Sequence, residues 1–289
     1  MKKTAVLSLI LIPVLLLSLS SCSYISFMSY GDPGSYSVGS GSAKAEEITE
    51  ICVNWYSGSV RIEAADTDII MFSEISSMDK KTDSLGEATK NKELSESLRM
   101  RYKTENGRLT IQFCKSDLRV RARAISDLEK TLTVYVPRTA VFRSIEIDTV
   151  SSTLYMLGIK TDTIDLNTVS GDLKLADCET DKVVCNTVSG KVDITTDQII
   201  KNTDFNSVSG DLMISAEGIG TLTAKSVSAN ADLYLKKVDL TLSITGVTAT
   251  FEADGLSFEK TAANKYKFND GTGSVSFESV SGKVRLEEK

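Results

Sequence analysis

Glu146, Asp148 and Asp165 are the residues whose type and spacing come nearest to chemistry. Glu146 and Asp165 lie nineteen positions apart. In a chain that repeats at that interval they stand over one another, about 4.8 Å apart if the repeats stack as strands. Asp148 follows two residues after Glu146, on the same strand face. Stacked carboxylates repel, so something must offset them: a hard cation such as Ca²⁺ held by oxygens, the Arg143 guanidinium, or solvent screening. Two carboxylates can also divide acid and base work on a glycosidic bond, which makes a polysaccharide lyase or glycosidase built on a β-helix the rival expectation. Such enzymes set their acids beside basic groups and aromatic platforms in a groove. Here aromatic residues are 7% of the chain and the single tryptophan, Trp55, lies outside the repeat described below. The expectation is therefore no catalytic residue and no cofactor, with Glu146, Asp148 and Asp165 as the one cation patch to examine.

Other chemistries are closed by composition. The chain has 289 residues and no histidine, which removes Ser-His-Asp and Cys-His catalysis, histidine-ligated zinc and histidine pH switching. A formal net charge of -6 lacks the concentrated basic face that nucleic acid requires. After Cys22, four cysteines remain, Cys52, Cys114, Cys178 and Cys185. They permit two disulfides, but their spacing matches no metal motif.

The N-terminus carries an address. Lys2 and Lys3 precede the apolar run "AVLSLILIPVLLLSL", which meets "LSSC" at Leu19 to Cys22. A basic start, an apolar centre and small residues at a cleavage point describe an export signal. The final four residues have the form of a bacterial lipobox. Residues 1–21 are read as a lipoprotein signal peptide and Cys22 as the lipidated first residue of the mature chain. Two or three acyl chains hold a protein firmly where one does not. Residues 22–45, rich in Ser and Gly, read as a flexible tether.

The positioning frame is a repeat. "NTVSGDLKL", "NTVSGKVDI" and "NSVSGDLMI" recur, and the valine column runs Val150, Val169, Val188, Val208, Val227, Val247 and Val280, at intervals of 19, 19, 20, 19, 20 and 33. A period near twenty over seven copies marks a solenoid. Positions three and five before the valine and four and six after it are apolar almost throughout, and polar residues alternate with them. That period of two means strands with one buried face. Each copy supplies two strands joined at a Thr/Ser-Val-Ser-Gly corner. The valines are expected to form the structural core column, and the corner glycines to supply a backbone with φ > 0. Asn167, Asn186 and Asn206 are placed for a stacked-amide ladder. One rung has too few inward side chains to order twenty residues, so stacking must stabilise the fold.

The predicted fold class is all-β: a single-stranded parallel β-helix (β-solenoid) with rungs of 19–20 residues over 141–289 and an irregular β N-terminal part over 46–140. An insertion at about 256–271 reads as a loop over one end, and the charged tail "EEK" as the guard of an open edge.

The run "VNWYSGSVRIEAADTD", "GRLTIQF", "TLTVYVPRTAVFRSIEIDTVS", repeated "TVSGDLKL" and "GTGSVSFESVSGKVRL" resembles the bacterial candidate-adhesin β-strand-repeat family, a domain of unknown function, over about residues 46–289. The resemblance implies a parallel β-helix at the cell envelope, often encoded near envelope-stress functions, and no catalytic residues. Together these readings predict a lipid-anchored, non-enzymatic module on the extracytoplasmic side of the cell membrane. It would be monomeric, bound to the membrane through Cys22, and would present its faces to an envelope or surface protein or glycan. A self-assembling solenoid is the remaining alternative.

Overall fold

The computed structural model describes residues 30–77, 94–116 and 128–289. Their N-terminal strands are β1 (Ser37–Val38), β2 (Gly41–Lys44), β3 (Glu50–Ala65), β4 (Ile69–Ser76), β5 (Arg101–Glu105), β6 (Arg108–Gln112) and β7 (Lys130–Pro137). The repeat supplies β8 (Val141–Leu157), β9 (Lys160–Thr168), β10 (Leu173–Ala176), β11 (Glu179–Thr187), β12 (Val192–Thr195), β13 (Ile199–Ser207), β14 (Leu212–Ala216), β15 (Gly218–Ser226) and β16 (Ala231–Leu235). The chain ends in β17 (Leu240–Gly246), β18 (Thr250–Glu252), β19 (Glu259–Ala262), β20 (Lys265–Phe268), β21 (Gly273–Ser279) and β22 (Lys283–Glu288). The fold is an all-β solenoid. Each rung runs along a first arm, turns at the Val-Ser corner, runs along a second arm, and returns. First arms pair in parallel with first arms and second arms with second arms, as with β9–β11–β13 and β10–β12–β14.

Alternation decides which side chains enter the core. Ile145, Ile147, Leu154 and Met156 are buried in one rung, and Ile164, Leu166, Leu173 and Leu175 in the next. The expected valine column is a correction. Val150, Val169, Val188, Val208, Val227 and Val280 are only half-buried, and Val247 is 46% exposed. The inward parity runs through positions five, three and one before the valine. The buried corner residues are therefore Thr149, Thr168, Thr187, Ser207, Ser226 and Ser279, while the valine projects from the corner.

The glycine reading is corrected as well. Gly171, Gly190, Gly210 and Gly282 are not among the positive-φ residues. A Cβ at Gly171 would stand 1.8 Å from the Ser152 carbonyl oxygen, and one at Gly190 2.1 Å from that of Gly171. These glycines are required because one rung's backbone presses on the next. The buried hydroxyls complete the corner. Thr168 Oγ1 accepts from the Gly171 amide at 3.0 Å, Thr187 Oγ1 from the Gly190 amide at 2.8 Å, and Ser207 Oγ from the Gly210 amide at 2.6 Å.

Both ends of the stack are permuted relative to the sequence. At the first end β3 pairs in parallel with β8 along both arms. The outermost rung comes later in the chain, its arms being β6 and β7, which pair with the two halves of β3. The stretch 46–140, expected to be irregular, thus contributes two ordered rungs, and Trp55 sits inside the corner opposite Thr149. At the other end β21 and β22 lie between β15/β16 and β17/β18. The last rung in sequence is an interior one in space, so the "EEK" tail does not guard the edge. That edge is covered by residues 256–271, expected to be a loop, which instead form the hairpin β19–β20 with β20 antiparallel to β17. Among the described residues, nine rungs stack in space.

The N-terminal edge is covered in the same way, by antiparallel β5 on β6 and β4 on β7. The β5–β6 turn is Asn106-Gly107, both with φ > 0, the usual two-residue hairpin chemistry. The flexible tether expected for 22–45 is corrected over its described part, because β1 pairs with β5 and β2 with β4. Tyr30 is fixed too: its amide donates to Ser116 Oγ at 3.1 Å and its hydroxyl to the Cys114 carbonyl at 2.9 Å. Residues 1–21 and Cys22 lie outside the described residues. No helix among the described residues is long and apolar enough to cross a membrane.

Candidate functional site

The acidic patch sits on the outward face of the first arms. Glu146 pairs in register with Asp165, and Asp148 with Asn167. Their neighbours on the outer side are Cys52 and Asn54 of β3, and Arg108 of β6 stands opposite Glu50. The repulsion expected between Glu146 and Asp165 is met mainly by a residue that the repeat does not contain. Arg108 Nη2 lies 2.6 Å from Glu146 Oε2, and Arg108 Nη1 lies 3.2 Å from Glu50 Oε2. Arg143, the expected partner, pairs with Glu50 instead.

The other two acids are held by an amide. Asn167 Nδ2 donates to Asp148 Oδ1 at 2.9 Å and to Asp165 Oδ1 at 3.3 Å. The ladder continues along the stack, Asn186 Nδ2 donating to Asn167 Oδ1 at 2.8 Å and Asn206 Nδ2 to Asn186 Oδ1 at 2.9 Å. Burial pushes the Asp148 carboxyl above its ordinary range, against the pull of the Asn167 amide. Burial also raises that of Asp165, and the Glu146 charge adds to it. These acids thus carry the cost of partial desolvation, which a hydrogen bond to the charged form offsets in part.

The sequence brought Glu146, Asp148 and Asp165 together, and the structure keeps them together. They share one flat sheet face and do not oppose each other across a cleft, which is what a pair of glycosidic carboxylates needs. No group of three or more His, Cys, Asp or Glu side chains among the described residues is arranged to hold a metal ion. The thiols are also quiet. Cys52, Cys178 and Cys185 are free. Burial pushes the Cys178 thiol up to about 11 and raises that of Cys185 much further, so both stay protonated at neutral pH, the unreactive form. Cys178 lines a cavity of about 250 Å³ with Val183, Ile194 and Ile199.

Corner acids on the second-arm side act on backbone. Asp172 Oδ1 accepts from the Lys191 amide at 2.9 Å and Asp211 Oδ1 from the Asn230 amide at 2.7 Å. Each of these carboxylates caps a backbone amide of the following rung and so joins one rung to the next.

Sequence reasoning missed the buried centre at the first end of the stack. Lys130 Nζ donates to Glu74 Oε2 at 2.6 Å, to the Leu98 carbonyl at 3.0 Å and to the Phe113 carbonyl. It also lies 4.2 Å from the Phe113 ring centroid and 4.9 Å from that of Trp55. All three ammonium protons have acceptors, so the group clamps β4 and β7 to the segments at 98 and 113. It has the bonding of a structural charge and leaves no donor for a substrate. No spacing signal in the sequence links Lys130 with Glu74.

The family model described as Toastrack DUF4097 matches residues 48–255. No curated protein matches the chain. Among solved structures, a candidate cell adhesion protein of Clostridium sporogenes is similar at 11% identity and a TM-score of 0.40, covering 88% of this chain and 100% of that one. A candidate adhesin of Bacteroides fragilis is similar at 12% identity and a TM-score of 0.36, covering 88% and 97%.

Proposed function

We propose, from the premise that the chain belongs to the Toastrack DUF4097 family, that it is a lipid-anchored, non-enzymatic module which presents a rigid solenoid face on the extracytoplasmic side of a membrane. The anchor is Cys22 in "LSSC". The presented surface is the outward face of the first arms. The observation that carries this reading is the ladder from Asp148 through Asn167 and Asn186 to Asn206. It fixes polar side chains at strand spacing along four successive rungs, and a surface so fixed loses little conformational entropy when a partner binds. Repeat faces of this kind suit extended contact, here with an envelope or surface protein or glycan. The carboxylates that an enzyme would use are held by Arg108 and Asn167 on an open face.

The test is capture of envelope proteins and glycans by the mature chain, with glycan turnover assayed alongside. Binding that weakens when the first-arm face is altered, as in Asn186→Arg, supports the reading. Turnover that is lost in Glu146→Gln or Asp165→Asn overturns it. The anchor is tested separately: Cys22→Ser is expected to release the protein from the membrane or leave its signal uncleaved.

A further inference from the structure

The first end of the stack carries an exposed apolar patch on the outward face of its second arms. On β4 the outward positions alternate as Ile69, Met71, Ser73 and Ile75, and the three apolar ones are 40%, 39% and 50% exposed. Met71 stands in register opposite Tyr135 of β7, itself 38% exposed. Their inward neighbours Ile70 and Phe72 are fully packed in the core, so the outward set is not needed to hold β4 in place. Elsewhere on the second arms most outward positions are polar, as with Lys174, Asp193 and Asp232, and the apolar ones among them, Leu157, Ala176 and Met213, are half-buried.

The length of chain before the fold indicates what meets this patch. Tyr30 is bonded to Ser116 and Cys114, and strands β1 and β2 continue the chain onto the same end. Cys22 lies only eight residues before Tyr30, a reach of at most about 28 Å. Nine rungs rise about 38 Å over eight steps. An acylated Cys22 therefore keeps the first end of the stack beside the bilayer, whichever way the far end points. The eight residues from Cys22 to Ser29 include Tyr24, Ile25, Phe27 and Met28, side chains that also favour a membrane interface.

We infer that Ile69, Met71, Ile75 and Tyr135 form a seating face that lies against the phospholipid bilayer in which Cys22 is anchored. Aliphatic side chains enter the boundary between headgroups and acyl chains, and the tyrosine ring stands at headgroup level. This rests on the lipid-anchor reading. It goes beyond it by giving the module one orientation, with the outward second-arm side of its first end turned to the membrane.

The experiment uses the full chain, exported and processed, reconstituted into vesicles of phosphatidylethanolamine and phosphatidylglycerol that contain a phospholipid with a photoreactive diazirine in its acyl chain. Intact mass reports acylation of Cys22, and mapped adducts report lipid contact. The expected result is an acylated protein with adducts concentrated on 69–75 and at Tyr135, and few on the outward residues of β16 or β22. In Met71→Glu/Ile75→Glu, adducts at these positions should fall about tenfold, the change that 1.4 kcal/mol of lost contact energy gives. Acylation and thermal midpoint should be retained. An acylated wild-type protein with no excess of adducts at the patch overturns the seating face and leaves the anchor standing. A protein without the acyl group overturns the anchor, and the seating face falls with it.

Discussion

The Lys130 ammonium and the Glu74 carboxylate meet 2.6 Å apart in the core at the first end of the solenoid, with the lysine side chain wholly buried and the glutamate 7% exposed. Glu74 Oε1 also accepts from the Met100 amide at 2.9 Å. The pair is thus bonded on both sides, which is what lets two charges persist away from water. Burial alone holds the Lys130 ammonium below its ordinary range, and Glu74 draws it back up. Lys130→Met is expected to cost about 3–5 kcal/mol, because it leaves Glu74 buried and uncompensated. Lys130→Met/Glu74→Gln should recover much of that loss. Urea unfolding of the two variants checks it, and equal losses in both would show that the charge pairing is not what holds this end.

The corner distinguishes two residues that are adjacent but one in sequence. Gly190→Ala places a Cβ 2.1 Å from the Gly171 carbonyl, and backbone cannot move aside as a side chain does. The expected loss is about 3 kcal/mol, at the upper end for overpacking. Val188→Asp, on the half-buried outer corner, should cost about 1 kcal/mol. Thermal melts that rank the valine as the more damaging site would restore it to the core.

The columns were legible because alternation is strict within each arm: Ile164 and Leu166 before the corner, Leu173 and Leu175 after it. The corner was misread because two successive residues, Val169 and Ser170, both face out there, and no alternation rule spans that break. The interval of 33 before Val280 announces an insertion. It says nothing of where the final rung pairs, since β21 would satisfy the same inward pattern beside β15 or beside β17. Glu146, Asp148 and Asp165 were legible as one patch because they share the repeat. Arg108 was not, because it lies 38 residues from Glu146 in a rung without the Val-Ser-Gly signature.

The asparagine ladder is tested by Asn186→Ala. Asn186 donates to Asn167 and accepts from Asn206, so one substitution removes two bonds at a half-buried position. A loss of about 1–2 kcal/mol is expected at about 1 kcal/mol net for each bond. Asn186→Asp keeps the acceptor and loses the donor, and should be worse at neutral pH than in acid. A ladder that adds nothing to stability would leave both variants unchanged in chemical denaturation.

Asp165 predicts a pH dependence with a definite sign. Its carboxyl is raised in the folded state by burial and then by Glu146, so between the unfolded and folded values the native protein binds more protons than the unfolded chain. Stability contributed by this group therefore falls as pH rises through that window. Asp165→Asn should be more stable than wild type at neutral pH by up to about 1 kcal/mol, the scale of relieving a stacked like charge. The advantage should shrink as pH falls below the folded value. An advantage that grows on acidification would mean Asp165 is held ionised by a favourable partner.

The permuted ends predict an exchange pattern that chain order alone would reverse. In a solenoid whose rungs stack in sequence, the C-terminal strand is the edge and frays. Here β22 is paired on both sides, Val284 opposite Ala231 of β16 and also opposite Phe251 of β18. β21 is likewise paired with β15 and β17. Fraying ends open at little free energy, whereas core strands open near the global limit. Hydrogen exchange read by mass spectrometry should therefore give peptides from 273–288 the slow exchange of β15 and β16. The fast-exchanging edge should be β19, Glu259–Ala262, whose residues are all exposed. Rapid exchange across 283–288 with protection of 240–252 would place the final rung outside. It would also remove the reason the hairpin, not the C-terminus, covers the far end of the stack.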